Sequence, residues 1–435
     1  MRIAVVSDLV RPNGAGVMAL LAADILTAAG HEVVVFGGAM PHDLERQLSS
    51  AHYGAAAFTN DESALDRGID TSSHAAFLAA LRSWFDQEVA THDPDLLYIH
   101  NCGRIFTQLD IADLSRRLPV LFTMHDEWFS TDAHYTFRSR LTGTTIRTFE
   151  PSRSQDLLTH RFDHLFDVPR RAGNLVVVGP SSWITERARR VYPTLHIRHL
   201  PNAVDTDLFS LQERRSAREH LGLNTDRPIV AFIGNPTQER KGFTAYEEAL
   251  QKVEPIDGVL PLRLIAGGSS TVAIGNAASD IGLGPIDTLL SMARGSSVDD
   301  LRIQGDAIIV KGLARSSMGA LYGAADVVVH PSIIDNLPTV PIEAGLSGTR
   351  CLATDVGGTA EVIADTADLF PLETAPEQLA QLIASALGDA RTETTADRAA
   401  RRNTQLARYS IDTHRAELMD VIDALANVAV AGVER

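Results

Sequence analysis

The sequence has little cysteine and almost no lysine. Cys102 and Cys351 are the only cysteines among 435 residues, and they lack the spacing of a zinc site or a disulfide framework, which predicts buried thiols in a reducing compartment. No apolar run is long enough to span a membrane, and the first residues show a strand pattern rather than a secretion signal. We therefore expect a cytoplasmic protein without a transmembrane segment.

The balance of charge limits the partners. The formal net charge is −16, with 39 basic residues of which only Lys241, Lys252 and Lys311 are lysines. A broad surface for nucleic acid or anionic lipid is disfavoured, because such partners would be repelled. A local basic pocket is compatible with this charge, and each of the few lysines merits separate attention.

Length and hydrophobic pattern predict two α/β domains. The chain is too long for one ordinary core, and its 45% hydrophobic and 22% charged residues are typical of a globular protein. Continuous apolar runs alternate with helical patterns, which is the order of a parallel sheet covered by helices. The predicted strands are 3–9, 32–36, 96–100, 120–125 and 175–181 in a first set, and 228–235, 262–268, 307–312, 325–332 and 349–358 in a second.

These two sets predict tandem Rossmann-like, doubly wound domains. The join lies near the Pro-Asn turn of residues 199–209. We expect a first domain at 1–203, a second at 204–408, and a C-terminal helical segment at 409–435 that packs back on the first domain.

A glycine-containing loop follows the first strand. Gly14 and Gly16 stand where this loop enters a helix, and glycines there allow backbone amides and the helix N-terminus to approach an anion. The third glycine of the dinucleotide fingerprint is missing, which disfavours NAD binding. A tight connection without a ligand is an equally good interpretation of this loop alone.

A histidine and an aspartate follow the run 120–125. His125 and Asp126 fall at the edge of the sheet where doubly wound folds bind ligands. A hydrogen-bonded structural histidine is as good an interpretation from position alone. His134 lies nearby, but the histidine spacing is not that of a metal-binding helix, so we predict no metal site.

Two further loops carry charged residues. In FIGNPTQERKGF (232–243), Arg240 and Lys241 precede a helix, where fixed cations would stabilise a diphosphate leaving group. In the stretch 330–363, Asp335 follows a strand and Glu343 lies at the start of a short helix. Their carboxylates are candidates to accept hydrogen bonds from sugar and ribose hydroxyls, and the backbone amides of Asn336, Leu337 and Thr339 are candidates to meet phosphates.

Several of these motifs occur in the order found in one family. LPNAVDTDLF, RKG, the acids Asp335 and Glu343 separated by seven residues, VGGTAEVI and GHEVVVF together resemble glycosyltransferase family 4, over essentially the whole chain. TMHDEW and DNLP resemble members that assemble exopolysaccharide. The resemblance implies the GT-B fold, with two Rossmann-like domains facing each other across a cleft, and a retaining transfer of a sugar from a nucleotide diphosphate, with UDP and GDP the expected nucleotides.

The resemblance also implies roles for individual positions. Lys241 would hold the diphosphate, Glu343 the ribose and Asp335 the transferred sugar, with His125 near that sugar and its acceptor. Other donor-side positions are Gly14, Gly16, Asn235, Arg240, Leu313, Asn336, Leu337 and Thr339. The acceptor side would include Asp126, Trp128, His134 and Arg138, facing a saccharide, lipid-linked or natural-product acceptor.

The chain departs from the family pattern at three positions. Asp335 stands where the family usually has Glu, Asn235 stands where an arginine commonly partners the lysine, and Asn13-Gly14 replaces a Gly-Gly pair. No metal cofactor is expected if Lys241, Arg240 and helix dipoles neutralise the diphosphate. Two alternatives stay open: an epimerase or non-sugar transferase of the same fold, and a catalytically weakened nucleotide-sugar-binding protein.

Overall fold

A computed structural model describes most of the chain as two compact units. The described residues are 1–7, 14–37, 54–57, 71–103, 105–131, 133, 135–148, 162–266, 302–304, 307–310 and 317–433. The first unit comprises Met1–Arg138, Thr144–Ala203 and Ile411–Arg435, and the second comprises Ser139–Gly143 and Val204–Ser410.

The first unit contains a parallel sheet. Its strands lie in the order β3-β2-β1-β4-β5-β8-β9, and each pairs in parallel with its neighbours. The pair β6 and β7 forms a separate antiparallel hairpin. The bounds are β1 Arg2–Ser7, β2 Glu32–Gly37, β3 Gly54–Ala57, β4 Leu96–Ile99, β5 Val120–Thr123, β6 Tyr135–Arg138, β7 Thr145–Thr148, β8 Leu175–Gly179 and β9 His196–His199.

The second unit repeats this architecture. Its strands lie in the order β12-β13-β11-β10-β14-β15-β16, and only β12 runs antiparallel to its neighbour. The bounds are β10 Ile229–Ile233, β11 Leu262–Ala266, β12 Arg302–Gln304, β13 Ala307–Val310, β14 Val327–His330, β15 Arg350–Thr354 and β16 Leu369–Phe370. The prediction of two tandem Rossmann-like sheets is confirmed.

Helices connect the strands. In chain order they are α1 Gly14–Ala28, α2 Thr71–His92, α3 Gln108–Leu114, α4 Trp128–Thr131, α5 Val168–Arg171, α6 Ser182–Val191, α7 Arg214–His220, α8 Phe243–Leu250, α9 Met318–Ala324, α10 Thr339–Leu346, α11 Thr359–Val362, α12 Pro376–Thr392, α13 Thr395–Tyr409 and α14 Ile411–Val433. None of the described helices is both long enough and apolar enough to cross a membrane.

Each sheet is buried on both faces, which explains the unbroken apolar runs. Successive strand side chains point to opposite faces, so in β1 Ile3 and Val5 enter one hydrophobic cluster while Ala4 and Val6 enter another. Strand β10 shows the same alternation. Residues 229, 231 and 233 enter one hydrophobic cluster, and residues 230 and 232 enter another. Four hydrophobic clusters, one on each face of each sheet, thus hold the described core.

Helix α14 belongs to the first unit. Its buried residues Leu418, Val421, Ile422 and Leu425 have the spacing of one helix face and join the cluster around Ile3. The sequence placed residues 139–143 in the first domain, whereas Ser139–Gly143 group with the second unit. The reason lies in Glu239, whose carboxylate accepts hydrogen bonds from Ser139 Oγ at 2.7 Å and from the amide of Arg140 at 2.8 Å.

Candidate functional site

The polar loops of the second unit converge where its strand order reverses. Strands β10 and β14 are neighbours in the sheet, although three other strands, β11 to β13, lie between them in the chain. In doubly wound sheets a crevice forms at such a reversal, outside the carboxyl ends of the strands. The loop after β10 contains Arg240 and Lys241, and the loop after β14 contains Asp335. The fold therefore brings together residues that lie about 95 positions apart.

A glycine lets these two loops touch. Gly242 has φ +71°, and a Cβ added there would lie 1.8 Å from the carbonyl oxygen of Pro331, so no other residue fits without moving the backbone. The amide of Ile333 donates to the carbonyl of Arg240 at 2.7 Å. This close approach fixes Lys241, which precedes Gly242, beside the loop of Asp335.

Lys241 and Asp335 form the central ion pair. Lys241 Nζ lies 2.6 Å from Asp335 Oδ2, and the two side chains are only 19% and 10% exposed. Arg240 adds a second cation, 3.8 Å from Asp335 Oδ1. A buried pair of this kind persists only when additional hydrogen bonds satisfy its oxygens.

Two residues not predicted from the sequence supply those hydrogen bonds. His330 Nε2 lies 3.3 Å from Asp335 Oδ2, and Ser332 Oγ contacts both His330 Nε2 at 3.0 Å and Asp335 Oδ2 at 3.3 Å. His330 and Ser332 are 3% and 0% exposed. Asp335 is thus held on its inner side by a histidine, a hydroxyl and an ammonium group.

The pKa values follow from this arrangement. Burial alone would raise the pKa of Asp335, but the charge of Lys241, the hydrogen bond from His330 and the charge of Arg240 bring it well below its usual range. Burial lowers the pKa of Lys241, and Asp335 partly offsets that effect. Burial also lowers the pKa of His330. The cluster therefore consists of an ionised carboxylate, an ammonium group, a guanidinium group and a neutral imidazole.

The segment VGGTAEVI (356–363) contacts the backbone of the loop that contains Asp335. Gly357 has φ +56°, and a Cβ there would lie 1.9 Å from the carbonyl oxygen of Asp335. Gly358 donates its amide to the same oxygen at 3.2 Å. The amide of Asn336, expected to meet phosphate, lies 3.3 Å from Asp335 Oδ1, and Leu337 is buried in the core.

Glu343 is positioned by a tyrosine. It lies on α10, the helix that begins at Thr339, and its Oε2 accepts a hydrogen bond from the hydroxyl of Tyr322. Tyr322 is fully buried, and its own carbonyl accepts a hydrogen bond from Thr349 Oγ1 at 2.8 Å. Burial, followed by the charge of Glu343, raises the pKa of Tyr322 well above its ordinary value, so the hydroxyl remains a donor.

Asn235 shapes the loop after β10. Its Oδ1 accepts hydrogen bonds from Thr237 N at 3.0 Å and Thr237 Oγ1 at 2.8 Å, which is the geometry of an Asx turn. Asn235, at the position where the family pattern commonly has an arginine, is therefore a turn residue in this chain. Arg240 is the cation that accompanies Lys241 near Asp335.

In the first unit, two histidines meet at the carboxyl edge of the sheet. His125 lies two residues beyond β5 and His100 one residue beyond the neighbouring β4. His125 Nε2 and His100 Nδ1 are 3.0 Å apart. Asp126 Oδ1 accepts from the amide of Trp128 at 2.9 Å, while the Trp128 ring is 7% exposed and packs in the core near Phe122.

The remaining predicted residues are dispersed. Gly14 has φ +52° and begins α1, in which Gly16 is buried. Arg138 is exposed. Leu313 and His134 lie outside the described residues. Within the ranges that the structure describes, no group of three His, Cys, Asp or Glu side chains is placed to hold a metal ion, and the expectation of metal-free function stays a prediction.

Four site positions were not predicted from the sequence. These are His330, Ser332, Tyr322 and His100, and each contacts a predicted site residue. His330 and His100 do carry a signal, since each is a polar residue that closes an apolar strand run at the ligand-binding edge. Tyr322 carries none, because it lies 21 residues before its partner and within an apolar helix.

Comparison with known proteins identifies the family. A family profile described as Glycosyltransferase Family 4 matches residues 12–208, and one described as Glycosyl transferases group 1 matches residues 213–403. The chain belongs to glycosyltransferase family 4. Together the two profiles cover both units, and the second covers Lys241, Asp335 and Glu343.

Curated relatives of this family-4 chain align over part of its length. D-inositol 3-phosphate glycosyltransferase of Mycolicibacterium smegmatis is 35% identical over 162 residues, which are 37% of this chain and 33% of that relative. The enzyme of the same name from Mycobacterium tuberculosis is 32% identical over 162 residues, which are 37% of this chain and 30% of that relative. The chain thus spans about a third of the length of these relatives.

Solved structures match over almost the whole family-4 chain. Sucrose-phosphate synthase from Thermosynechococcus elongatus has a TM-score of 0.70 at 19% identity, covering 98% of this chain and 99% of that one. HepE of Anabaena in complex with UDP-glucose has a TM-score of 0.67 at 17% identity, covering 98% and 100%. The glycosyltransferase WaaG, involved in lipopolysaccharide biosynthesis, has a TM-score of 0.62 at 17% identity, covering 97% and 99%. These similarities establish the GT-B fold.

Proposed function

We propose that the protein is a cytoplasmic retaining glycosyltransferase that moves a hexosyl group from a nucleotide diphosphate to an acceptor hydroxyl. The observation that carries the proposal is the buried ion pair of Lys241 and Asp335 at the strand reversal of the second unit, with Glu343 on the helix that follows the loop of Asp335. Family membership supports this function, and the curated relatives bear the name of a glycosyltransferase.

Lys241 and Arg240 bind the donor diphosphate in this proposal. As the bond between sugar and phosphate breaks, negative charge grows on the leaving group, and preorganised cations stabilise that charge without further reorganisation. Lys241 is held on the side of Asp335 by a 2.6 Å contact, so its position is set before the donor arrives. We propose that these side chains do this work without a metal ion.

The short side chain of Asp335 determines its role in this proposal. Its carboxylate contacts Lys241 and lies within 3.8 Å of Arg240, so we propose that it orients both cations as well as contacting the transferred sugar. A glutamate would extend one methylene further into the crevice. The aspartate thus favours a firm hold on the cations.

Glu343 binds the ribose of the nucleotide in this proposal. The Tyr322 hydroxyl fixes the rotamer of Glu343 through Oε2, and a fixed carboxylate loses less side-chain entropy when it accepts a hydrogen bond from a ribose hydroxyl. The start of α10 at Thr339 and the backbone of 336–337 face the donor phosphates.

In this proposal the transfer retains the anomeric configuration, because the acceptor attacks from the face that the nucleotide leaves. The anomeric carbon becomes cation-like as the nucleotide departs, and the acceptor hydroxyl attacks from the same face, passing its proton to the leaving phosphate oxygen. His125 contacts the sugar or the acceptor. The acceptor is a saccharide, a lipid-linked sugar or a small polyhydroxylated molecule, with Asp126 and Arg138 on its side.

The first experiment identifies the donor. Thermal-shift measurements with UDP, GDP, ADP and TDP and their sugars should show stabilisation by one uridine or guanosine diphosphate, because binding to the folded state raises the unfolding temperature. HepE and its UDP-glucose complex make uridine the first choice. No shift with any nucleotide, at concentrations up to the millimolar range, would contradict the proposal.

A second experiment separates transfer from its alternatives. Incubation with the stabilising nucleotide sugar and an acceptor panel should release nucleoside diphosphate only when acceptor is present, and NMR of the product should show the donor's anomeric configuration. Conversion of the donor without acceptor would indicate an epimerase. Tight nucleotide binding without turnover would indicate a binding protein.

A further inference from the structure

One hydrogen bond joins a ring nitrogen of His100 to a ring nitrogen of His125. Strands β4 and β5 are paired, and their carboxyl ends place His100 Nδ1 3.0 Å from His125 Nε2. The ring centroids are 5.3 Å apart and the ring planes differ by 21°. The shared hydrogen bond requires one proton between the two nitrogens, so one ring donates and the other accepts.

Protonation states limit this pair to two arrangements. Burial lowers the pKa of His100 well below its usual value, and His125 and His414 lower it further. Burial also lowers the pKa of His125 to about 4, against a smaller opposing effect of Asp126. Both rings are neutral at physiological pH, so each carries one proton. Either His100 donates from Nδ1, or His125 donates from Nε2.

The surroundings of His100 Nε2 decide between these two arrangements. His100 is 3% exposed, and its Nε2 has no hydrogen-bond partner in the part of the chain that the structure describes. A proton on Nε2 would therefore be a buried N–H without an acceptor, a situation rarer in proteins than an unsatisfied acceptor. The favourable arrangement puts the proton of His100 on Nδ1, where it points at His125.

We infer that His100 is a positioning residue that holds His125 as the Nδ1–H tautomer, with its Nε2 lone pair occupied. His125 then presents an N–H donor on Nδ1 and has no lone pair available for a general base. Such a ring recognises a neutral oxygen acceptor, namely a hydroxyl or ether oxygen of the sugar or of the acceptor molecule. This effect on turnover rests on the proposed function, whereas the tautomer itself does not.

NMR of the protein with ¹⁵N-labelled histidine tests the tautomer directly. In the ligand-free wild type, Nδ1 of His125 should resonate as a proton-bearing ring nitrogen and Nε2 as a bare one, with assignment from the spectrum of His125→Gln. The reversed pattern, with the proton on Nε2 of His125, would overturn the inference. This result stands whether or not the protein proves to be a transferase.

Matched variants test the consequence for catalysis. His100→Leu removes the donor and should lower kcat roughly 10- to 100-fold, because a misplaced substrate contact has effects of that size. His100→Asn places an amide N–H near the Nδ1 position and should restore kcat to within about threefold and the Nδ1–H tautomer of His125 with it. His196→Gln, at an exposed histidine of the same unit, should match the wild type. If His100→Leu folds and keeps wild-type kcat, His100 has no positioning role.

Discussion

The second unit holds Lys241 and Asp335 as a charged pair 2.6 Å apart, whereas the first unit holds His100 and His125 as two neutral rings 3.0 Å apart. Both clusters lie at the carboxyl edge of a doubly wound sheet, beyond neighbouring strands. The same fold position therefore holds an ion pair in one unit and a pair of neutral rings in the other.

The difference is consistent with the proposed division of roles between the two units. In that proposal, the ion pair provides preorganised cations for a diphosphate at the cost of burying charge. The imidazole of His125 would provide one oriented N–H to a hydroxyl of the sugar or of the acceptor. In each unit a buried histidine contacts a predicted site residue: His330 contacts Asp335, and His100 contacts His125.

The largest expected effect concerns Lys241, the cation of the ion pair in the second unit. Lys241→Ala should lower kcat by about 10²- to 10³-fold, because it removes a preorganised charge from the leaving group. Steady-state kinetics with the identified donor measures it. Lys252→Ala is the matched control, since Lys252 is half exposed and pairs with exposed Glu377, and it should leave kcat unchanged. Equal kinetics for the two variants would show that Lys241 does not bind the leaving group.

Removal of the carboxylate should cost stability in the second unit. Asp335→Asn leaves the buried Lys241 and Arg240 without their counter-charge, and we expect about 3 kcal/mol of destabilisation, measured by denaturant unfolding. The pKa of Asp335 is well below 3.8 when folded, so its stabilisation is complete above about pH 4 and is lost as the pH falls towards the folded pKa. The difference between wild type and variant should therefore be constant from pH 5 to 8 and shrink below pH 4. A difference that grows on acidification would contradict this assignment.

The contribution of His125 to stability should depend on pH in a higher range than that of Asp335. The pKa of His125 falls from its usual 6.5 to about 4 on folding, so its unfolded form binds a proton more readily and stability is lost as the pH drops from 6.5 to 4. At 1.36 kcal/mol for each unit of pKa, the wild type should lose about 3 kcal/mol more than His125→Gln over that range. Unfolding midpoints of both proteins across pH measure it. Parallel curves would mean that His125 is not held neutral.

The smallest expected effect concerns the tyrosine behind Glu343. Tyr322→Phe removes one hydrogen bond, worth about 1 kcal/mol, and should raise the donor KM by roughly fivefold with kcat within twofold. Tyr246→Phe is the control, because the Tyr246 hydroxyl donates to the backbone carbonyl of Val230 at 2.8 Å in the same sheet region. It should lower stability and leave KM unchanged. If Tyr246→Phe raises KM equally, the effect is one of general stability.

The sequence predicted the fold because both sheets are buried on both faces. Apolar runs such as 228–235 leave no alternative to a buried strand, and β10 was found at Ile229–Ile233. Strand ends were placed up to four residues too far, as at 349–358 against Arg350–Thr354, because Val356 and two glycines, which carry no charge, follow closely on the strand. The hairpin β6 and β7 was not predicted, since its short polar strands lack an apolar run.

For the candidate site, the sequence determined which charged residues exist and that each follows a strand. Lys241, Asp335, Glu343 and His125 were named from loop positions and family motifs. Only the tertiary structure showed that Asp335 contacts Lys241, that Tyr322 contacts Glu343 and that His100 contacts His125. Sequence patterns record whether a residue is buried and on which face, while the partner of a buried polar group depends on strand order and loop approach, which bring together positions far apart in the chain.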